Sequence, residues 1–393
     1  VTGSRSEYGL LKNLLFKTKK NYPHRLKIIA TGNHYSLRHG NTYKEILRDG
    51  FKIHEKVKFN FRKDSIHEIA SFTGKSIKLF CIKFQKLKPD LIIVLGDRYE
   101  IFSASIAAHF KSIPIAHIHG GELSFGSLDD ALRHSITKMS WMHFVANKVY
   151  KKRVIQLGES PSRVYNVGGL GVDAIKKTKL IKKNMIEKKL KFKFNKKNIL
   201  VTYHPSSTNL SKSIMEMREI LKSLNLFKNK MIIFTSPNSD YGNKKIEKMI
   251  IDYCKKNKSN TRYFKSLGQL KYFSILKNID CVIGNSSSGL LEAPTFKKLT
   301  INIGDRQEGR VSAKSVINCK AKAKNITLIL TKLFKGDFNK ILRKTKNPYG
   351  NGQASNKIYN VLKNLKISKY HKKYFHDLNI WIKRNFLKQM VIG

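Results

Sequence analysis

Apolar segments of strand length alternate with amphipathic segments of helix length along the first half of the chain. The apolar segments are LKIIAT at 26–31, LIIVLG at 91–96, IPIAHIHG at 113–120, MHFVAN at 142–147 and VYNVGG at 164–169. Strands that are separated by helices in this way form βαβ units, which build a parallel sheet. The first half of the chain is therefore predicted to be a doubly wound α/β domain.

A second series of strands follows a lysine-rich helical stretch at 176–198 that has little apolar face. Its members are NILVTYHP at 198–205, MIIFTSPN at 231–238, RYFKSL at 262–267, DCVIGNSSSG at 280–289 and LTINIGDR at 299–306. We predict two Rossmann-like domains facing a cleft, with ligands at the carboxyl ends of the strands. The predicted bounds are 1–175 and 176–355, followed by 356–393 as a C-terminal helix packing back on the first domain and a tail.

The start of the chain also bears on this prediction. The glycine turn TGSR at 2–5 arrives without the strand that should feed it. We therefore expect the first strand of the first domain to be missing from this sequence.

Composition is consistent with two cores. The chain has 393 residues, of which 41% are hydrophobic, and no apolar run approaches the roughly 18 residues that span a bilayer. Its four cysteines lie far apart without metal-binding spacing, which predicts reduced thiols in a cytoplasmic protein without a membrane span.

The formal net charge of +52 changes this picture little, because the lysines are spread along the whole chain. No helix-turn-helix, RNP or zinc-finger pattern accompanies the charge, so no specific nucleic-acid partner is predicted. A basic nucleic-acid or membrane-associated protein remains the alternative of a different class. Tight binding to nucleic acid at physiological salt would favour it.

Small residues follow an apolar strand in GNSSSGLLEAP at 284–294. A strand, a small-residue loop and a helix start leave backbone N–H groups and the positive end of a helix dipole at one point, which suits a phosphate. Ser286 and Ser287 add hydroxyl donors, and Glu292 offers a carboxylate to the hydroxyls of a ribose. The alternative is an ordinary loop with serine caps.

Two acidic residues follow neighbouring predicted strands. Asp97 in GDRYE stands at a strand's carboxyl end, although it could also cap the next helix and pair with Arg98. Glu122 in HIHGGE follows a Gly-Gly turn that allows close approach of a ligand, so it is interpreted as an acid or base. A zinc or iron site formed by His117, His119 and Glu122 is the alternative interpretation. The spacing of the two histidines suits such a site poorly, so no metal is predicted.

Adjacent carboxylates, Asp129 and Asp130, open the helix predicted from SLDDALRH at 127–134. A serine cap at Ser127 and ion pairs with the basic residues one turn later would explain them structurally. However, the acidic residues of all three motifs fall at consecutive strand ends or helix starts of one sheet. They can therefore converge, and crowded carboxylates have pKa values that are pushed apart.

The second half offers basic groups at strand ends. His204 follows the strand ILVTY and precedes a proline. It is interpreted either as an imidazole exposed at the cleft or as an ordinary histidine near a turn. GDRQEGR offers Arg306 and Arg310 to an anion, and the TGSR loop of the first half offers Arg5.

Taken together, these motifs resemble the hydrolysing UDP-N-acetylglucosamine 2-epimerases of bacterial sialic-acid and legionaminic-acid synthesis, from about residue 1 to residue 365. The motifs that carry the resemblance are TGSRSEYG, LGDRYEIF, HIHGGE, RHSITKMS, YKKRVIQLGE, GNSSSGLLEAP and INIGDRQEGRV. The resemblance implies a glycosyltransferase-B-like fold that binds UDP in the interdomain cleft and uses neither a metal nor another cofactor. A homo-oligomer, either dimer or tetramer, is also expected.

The resemblance also implies residue roles. It makes Asp97, Glu122 and Asp130 candidates for moving the proton at carbon 2, with Asp129 as a neighbour and His204 helping UDP to leave. Positions that bind the UDP-sugar are implied for Arg5, Arg133, Ser286, Ser287, Glu292 and Arg306.

The implied reaction eliminates UDP from a UDP-2-acetamido sugar and hydrates the resulting glycal to the free sugar inverted at carbon 2. The segment Ser-Ser-Thr-Asn after His204 and the loop LSFGSLDD depart from the plainest members. The substrate is thus either UDP-N-acetylglucosamine or a 2,4-diacetamido-6-deoxy analogue. A non-hydrolysing epimerase and a glycosyltransferase of the same fold are the alternatives.

Overall fold

The computed structural model describes residues 1–22, 25–37, 40–58, 66–125, 128–205, 209–237, 242–365 and 372–378. The predicted cap at Ser127, the departing segment at 206–208 and most of the tail lie outside these residues. The chain forms two compact units, one from residues 1–174 with 350–393 and the other from residues 175–349.

The first unit contains six strands and eight helices within the described residues, counting a helix that runs on into the second unit. The strands are β1 (Ile29–Thr31), β2 (Glu55–Val57), β3 (Ile92–Leu95), β4 (Ile115–Ile118), β5 (Met142–Val145) and β6 (Val164–Asn166). The helices are α1 (Arg5–Asn21), α2 (Tyr43–Arg48), α3 (Ile66–Leu87), α4 (Tyr99–Phe110), α5 (Leu128–Met139), α6 (Lys148–Gln156), α7 (Leu170–Lys177) and, after the second unit, α15 (Ala354–Lys363).

Strands β3, β4, β5 and β6 pair in this order, all parallel. Strands β1 and β2 form a separate parallel pair, and Thr2 joins it through an isolated parallel bridge to Ala30. Every residue of β4 and of β5 is buried, as expected for parallel strands covered by helices on both faces. This double burial explains why the two strands are mainly apolar, each interrupted by one buried histidine, His117 in β4 and His143 in β5.

The second unit is built around one parallel sheet of six strands, as far as the structure describes it. The strands are β7 (Asn198–Thr202), β8 (Met231–Thr235), β9 (Thr261–Phe264), β10 (Cys281–Gly284), β11 (Leu299–Ile303) and β12 (Val316–Cys319). The helices are α8 (Lys183–Leu190), α9 (Leu210–Leu224), α10 (Asn243–Lys256), α11 (Gly268–Asn278), α12 (Ser287–Leu291), α13 (Ala323–Lys335) and α14 (Asn339–Lys344). The strand order is β12-β11-β10-β7-β8-β9.

The predicted α/β class with parallel sheets is thus confirmed. Two short strands were not predicted. Strand β2 has three residues in a lysine-rich stretch, and β12 is a partly exposed edge strand, so neither shows a clear apolar run. Among the described residues, no helix combines the length and the apolar character needed to cross a membrane.

The returning helix α15 is fixed to the first unit by a buried carboxylate. Asp173, in the first turn of α7, is fully buried and accepts hydrogen bonds from the backbone N–H (3.3 Å) and the hydroxyl (2.7 Å) of Ser355 in α15. It also accepts one from the Asn13 amide of α1 at 3.2 Å. One side chain therefore joins three helices that are remote in sequence.

Replacing Asp173 with alanine should remove the carboxylate that accepts two buried hydrogen bonds from Ser355. We expect Asp173→Ala to lower the free energy of unfolding in urea by about 2 kcal/mol. The exposed Asp90 of the same unit provides a matched control, because Asp90→Ala removes a carboxylate that makes no such bonds. Equal stability of the two variants would contradict this role of Asp173.

Candidate active site

Asp97 follows β3 but does not cap helix α4. Arg98 occupies the cap position without a side-chain capping bond, and it pairs with Glu100, with both distances at 3.1 Å. The carboxylate of Asp97 instead accepts a hydrogen bond from Arg133 of helix α5. Asp97 therefore faces the next βα unit of the same sheet, and its predicted alternative as a local helix cap is not observed.

The guanidinium of Arg133 is the centre of this cluster. Its side chain is only 3% exposed. It donates to Asp97, to the backbone oxygen of Glu122 (2.8 Å), to the hydroxyl of Ser124 (3.0 Å) and to Asp130 (3.4 Å). The planar fork of an arginine allows several acceptors to be bound in fixed directions. Arg133 thus brings the motifs of Asp97, Glu122 and Asp130 together.

Glu122 is buried beyond the end of β4, next to His119. The ring Nε2 of His119 accepts a hydrogen bond from the N–H of Leu170 at 3.2 Å, so its Nδ1 carries the proton and lies 3.8 Å from a carboxylate oxygen of Glu122. His119 has a φ of 66°, a left-handed conformation that is uncommon for non-glycine residues.

His117 has a structural role in this arrangement. Its Nε2 donates to the Gly96 carbonyl at 2.8 Å, and its Nδ1 lies 3.2 Å from the hydroxyl of Thr137. Burial lowers the pKa of His117 to about 3, so the ring is neutral. Both nitrogens therefore serve the contact between β4 and its neighbours, and no group of three or more potential ligands suited to a metal occurs in the described parts of the chain.

The Gly-Gly turn before Glu122 is shaped by the protein's own packing. Gly121 has a φ of 79°, and a Cβ placed there would lie 2.7 Å from the Tyr150 carbonyl oxygen. The backbone of α6 thus approaches Gly121 closely. A ligand was predicted to approach the backbone of this turn closely. At Gly121, the backbone of α6 makes the close contact instead.

Asp129 and Asp130 lie in the first turn of α5 but have different surroundings. Asp130 contacts Arg133 and lies 3.6 Å from Nε2 of His134, four residues later. For Asp129, burial and then the charge of Asp97 raise the pKa to about 6, although nearby arginines oppose the shift. Asp129 is therefore a carboxylate that changes its protonation close to neutral pH.

A carboxylate that the sequence did not reveal lies next to this cluster. Glu7 in α1 is buried and accepts a hydrogen bond from the N–H of Gly3 at 2.7 Å. Its second oxygen has no hydrogen-bond partner and lies 4.0 Å from Nε of Arg98. Burial and the charge of Glu100 raise the pKa of Glu7 to about 7. Glu7 belongs to the TGSRSE motif, but its neighbours are about 90 residues away.

In the second unit, the predicted phosphate loop follows β10. Ser286 caps α12, its hydroxyl accepting from the N–H of Ser288 at 3.4 Å, and Ser287 is the first residue of the helix. Helix α12 has only five residues, because Pro294 cannot continue it, so the expected helix dipole is small. Glu292 ends this helix.

The carboxylate of Glu292 is oriented by a chain of hydroxyl groups. The phenol of Tyr272 donates to Ser288 at 2.7 Å, and Ser288 donates to Glu292. Burial raises the pKa of Glu292, and the bond from Ser288 opposes this shift. No motif pointed to Tyr272, which belongs to α11.

His204 is fixed by Asn285, a residue of the loop motif without a predicted role. The amide of Asn285 accepts from the N–H of His204 at 2.7 Å and donates to its carbonyl at 2.8 Å. Arg306 (3.3 Å) and Gln307 (2.8 Å) donate to the carbonyl of Asn285. Asn285 thus joins the ends of β7, β10 and β11.

The ring of His204 is buried, and burial followed by the charge of Arg306 lowers its pKa to about 3. The imidazole is therefore neutral. Arg306 itself is exposed beside the ring, and Arg310 donates to Gln307 at 3.0 Å. The second unit accordingly has a cationic guanidinium and a neutral imidazole at the carboxyl ends of its strands.

The predicted residues thus form two clusters, one in each unit. The first contains Asp97, Glu122, Asp129, Asp130 and Arg133. The second contains His204 and Arg306 around Asn285, and Ser286, Ser287 and Glu292 in the adjoining loop and helix. Arg5 is exposed at the start of α1, one residue after its serine cap.

Two parallel α/β units with polar clusters at the carboxyl ends of their strands define a protein of the glycosyltransferase-B-like fold. The family model for UDP-N-acetylglucosamine 2-epimerase matches residues 17–363. The chain belongs to this family.

Similar proteins agree with this assignment. The chain is 41% identical to the GDP/UDP-N,N'-diacetylbacillosamine 2-epimerase (hydrolyzing) of Campylobacter jejuni, covering 81% of this chain and 83% of the relative. It is 33% identical to the UDP-N,N'-diacetylbacillosamine 2-epimerase (hydrolyzing) of Legionella pneumophila, covering 93% and 95%. The prediction of an enzyme, a UDP-sugar 2-epimerase of the hydrolysing type, is confirmed.

Solved structures support the fold. A UDP-GlcNAc 2-epimerase from Neisseria meningitidis, in a crystal structure with UDP-GlcNAc, superposes with a TM-score of 0.80 at 21% identity, covering 93% of this chain and 98% of that chain. The predicted glycosyltransferase-B-like fold is therefore confirmed.

Replacing Arg133 with lysine should keep the charge but lose the fork that joins four acceptors. We expect Arg133→Lys to lower kcat/KM for UDP release by about 10²-fold, because misplacing catalytic groups by about 1 Å has this effect. Arg48→Lys makes the same change at an exposed position of the same unit and should have no effect. Similar activity of the two variants would show that the fork is dispensable.

Proposed function

We propose that this chain expels UDP from a UDP-linked 2,4-diacetamido-2,4,6-trideoxy sugar and releases the free sugar inverted at carbon 2. The choice of sugar is supported by the two relatives described above, both of which are named for diacetylbacillosamine. UDP-N-acetylglucosamine is the alternative substrate. The four cysteines are free thiols, which is consistent with the reducing cytoplasm as the place of the reaction.

The reaction consists of an elimination and a hydration. The hydrogen at carbon 2 is weakly acidic, so the bond from carbon 1 to the UDP oxygen has to break before or while the proton leaves. The electron pair of that bond departs with UDP, and the pair of the C–H bond forms a double bond between carbons 1 and 2. A proton then adds to carbon 2 from the opposite face, and water adds to carbon 1.

The observation that carries the assignment of the base is the raised pKa of Asp129. Burial and Asp97 bring it to about 6, so Asp129 is ionised at neutral pH yet more basic than an ordinary aspartate. Asp97 and Asp130 are bound to Arg133, which makes them less available. We assign proton removal to Asp129 and the return of a proton to Glu122, which is buried beside His119.

The second cluster suits the leaving group. Arg306 provides positive charge to a diphosphate, and the neutral His204 provides a hydrogen-bond donor beside it. Ser286 and Ser287 offer hydroxyl and backbone donors, and Glu292, oriented through Ser288, offers an acceptor to the ribose hydroxyls. Arg5 and Arg133 are also proposed as residues that bind the UDP-sugar.

The reaction type and the sugar can be tested together in deuterium oxide. The enzyme should be offered UDP-N-acetylglucosamine and the UDP-2,4-diacetamido sugar separately, with phosphorus and proton NMR recorded over time. We expect free UDP to accumulate with the second substrate, and the free sugar to carry deuterium at an inverted carbon 2. An equilibrium of two UDP-sugars would indicate the non-hydrolysing reaction, and a product without deuterium would exclude elimination.

The role of Asp129 predicts a pH dependence. Because a carboxylate base works only when ionised, kcat/KM should fall as the pH drops through about 6 and level off above it. Asp129→Asn should lower kcat by about 10²- to 10⁴-fold and leave the affinity for UDP nearly unchanged. The exposed Asp90→Asn is the control. An acidic limb near pH 4, or near-normal activity of Asp129→Asn, would contradict the assignment.

A further inference from the structure

The C-terminal segment, residues 372–378, lies beyond the residues matched by the family model and contacts the end of helix α5. This is the helix whose first turns carry Asp129, Asp130 and Arg133. The segment belongs to the same compact unit as α5. None of the proposed catalytic roles involves this contact between the segment and α5.

Lys373 is the main contact of the segment. Its ammonium donates to the carbonyl oxygens of Lys138 and, at 2.7 Å, of Ser140, which lie at the C-terminal end of α5. The last carbonyls of a helix have no partner within the helix, and a positive charge there also interacts favourably with the helix dipole. Lys373 therefore completes the end of α5.

The same ammonium forms an ion pair inside the protein. It lies 2.8 Å from the carboxylate of Glu159, which is fully buried and also contacts His143 (2.9 Å) and Lys138 (3.0 Å). Burial alone would raise the pKa of Glu159, but the hydrogen bonds from His143 and Lys373 outweigh it and bring the pKa to about 2. A buried carboxylate of this kind requires its partners, because removing one leaves charge without compensation.

Phe375 provides a second contact. Its ring lies on the bare face of Gly158, where a Cβ would come within 2.2 Å of a ring carbon. The ammonium of Lys138 lies 4.8 Å from the centre of the same ring, and the N–H of His376 donates to the Gly158 carbonyl at 2.9 Å. The segment is thus held by an ion pair at residue 373, a ring contact at residue 375 and a backbone hydrogen bond at residue 376.

We propose that Lys373 is a positioning residue, which fixes the far end of α5 so that the first turns of the helix present Asp129, Asp130 and Arg133 in their reactive arrangement. A twelve-residue helix is about 18 Å long and stiff, so a change of tilt at one end displaces the other. Small displacements of catalytic groups lower rates strongly. The inference rests on the proposed function of these three residues.

Kinetics of four full-length variants test the proposal. Lys373→Ala should lower kcat about tenfold with KM within about twofold, because the groups that bind UDP remain. Lys373→Arg keeps a cation and should restore most of kcat, and Phe375→Ala should have an intermediate effect. The control is Lys372→Ala, which removes the exposed neighbouring lysine and should match the wild type. Unchanged kcat in Lys373→Ala, or a change in KM alone, would overturn the proposal.

Hydrogen exchange of the α5 amides in the same proteins provides a readout that does not depend on turnover. In Lys373→Ala, we expect the amides of all turns of α5 to exchange faster than in the wild type. In Lys372→Ala, we expect the exchange rates of the wild type. Faster exchange restricted to the last turn, or no change, would overturn the positioning role. A wild-type protein that turns over no UDP-sugar would refute the proposed function, and the exchange data would then decide the inference separately.

Discussion

The arrangement of the first cluster depends on the burial of one guanidinium. Arg133 is almost inaccessible to solvent, so its donors need acceptors within the protein. Those acceptors come from the ends of two strands and from its own helix, including the carboxylate of Asp97 and the backbone of Glu122. Satisfying one buried cation therefore fixes α5 against the sheet. Asp129 lies one turn before Arg133 on the same helix, where burial and the charge of Asp97 raise its pKa more than the nearby arginines lower it.

The fold was predictable because the central strands of its two larger sheets are buried on two faces. Strands such as β8 and β10 are nearly continuous apolar runs, and their ends mark where polar residues follow. What could not be predicted is which polar groups bind each other. Asn285 and His204 are 81 residues apart, and nothing in either motif indicates that an amide holds the histidine backbone. For the same reason Arg133, predicted as a substrate-binding residue, could not be recognised as the hydrogen-bond partner of Asp97.

The distribution of charge separates buried acids that have several cationic neighbours from buried acids whose pKa is raised. The chain has 26 acidic residues against 78 basic ones, so cations are abundant wherever a buried carboxylate needs compensation. Glu55 has two lysines, Glu159 has two lysines and a histidine, and Glu100 has Arg98. In contrast, burial raises the pKa of Glu7 and of Asp129 towards neutrality. Burial also raises the pKa of Glu292 in the second cluster. Carboxylates with raised pKa values therefore lie in or beside both clusters.

The two clusters also differ in the electrostatic task that each suits. The first combines ionisable carboxylates with one buried cation, which is suited to moving a proton. The second combines Arg306 with a histidine that burial keeps neutral. A diphosphate departs as a stable anion, so it needs positive charge and hydrogen-bond donors more than it needs a proton. A neutral imidazole is already such a donor, and an anion beside it would raise its pKa and strengthen that interaction as negative charge develops on the leaving oxygen.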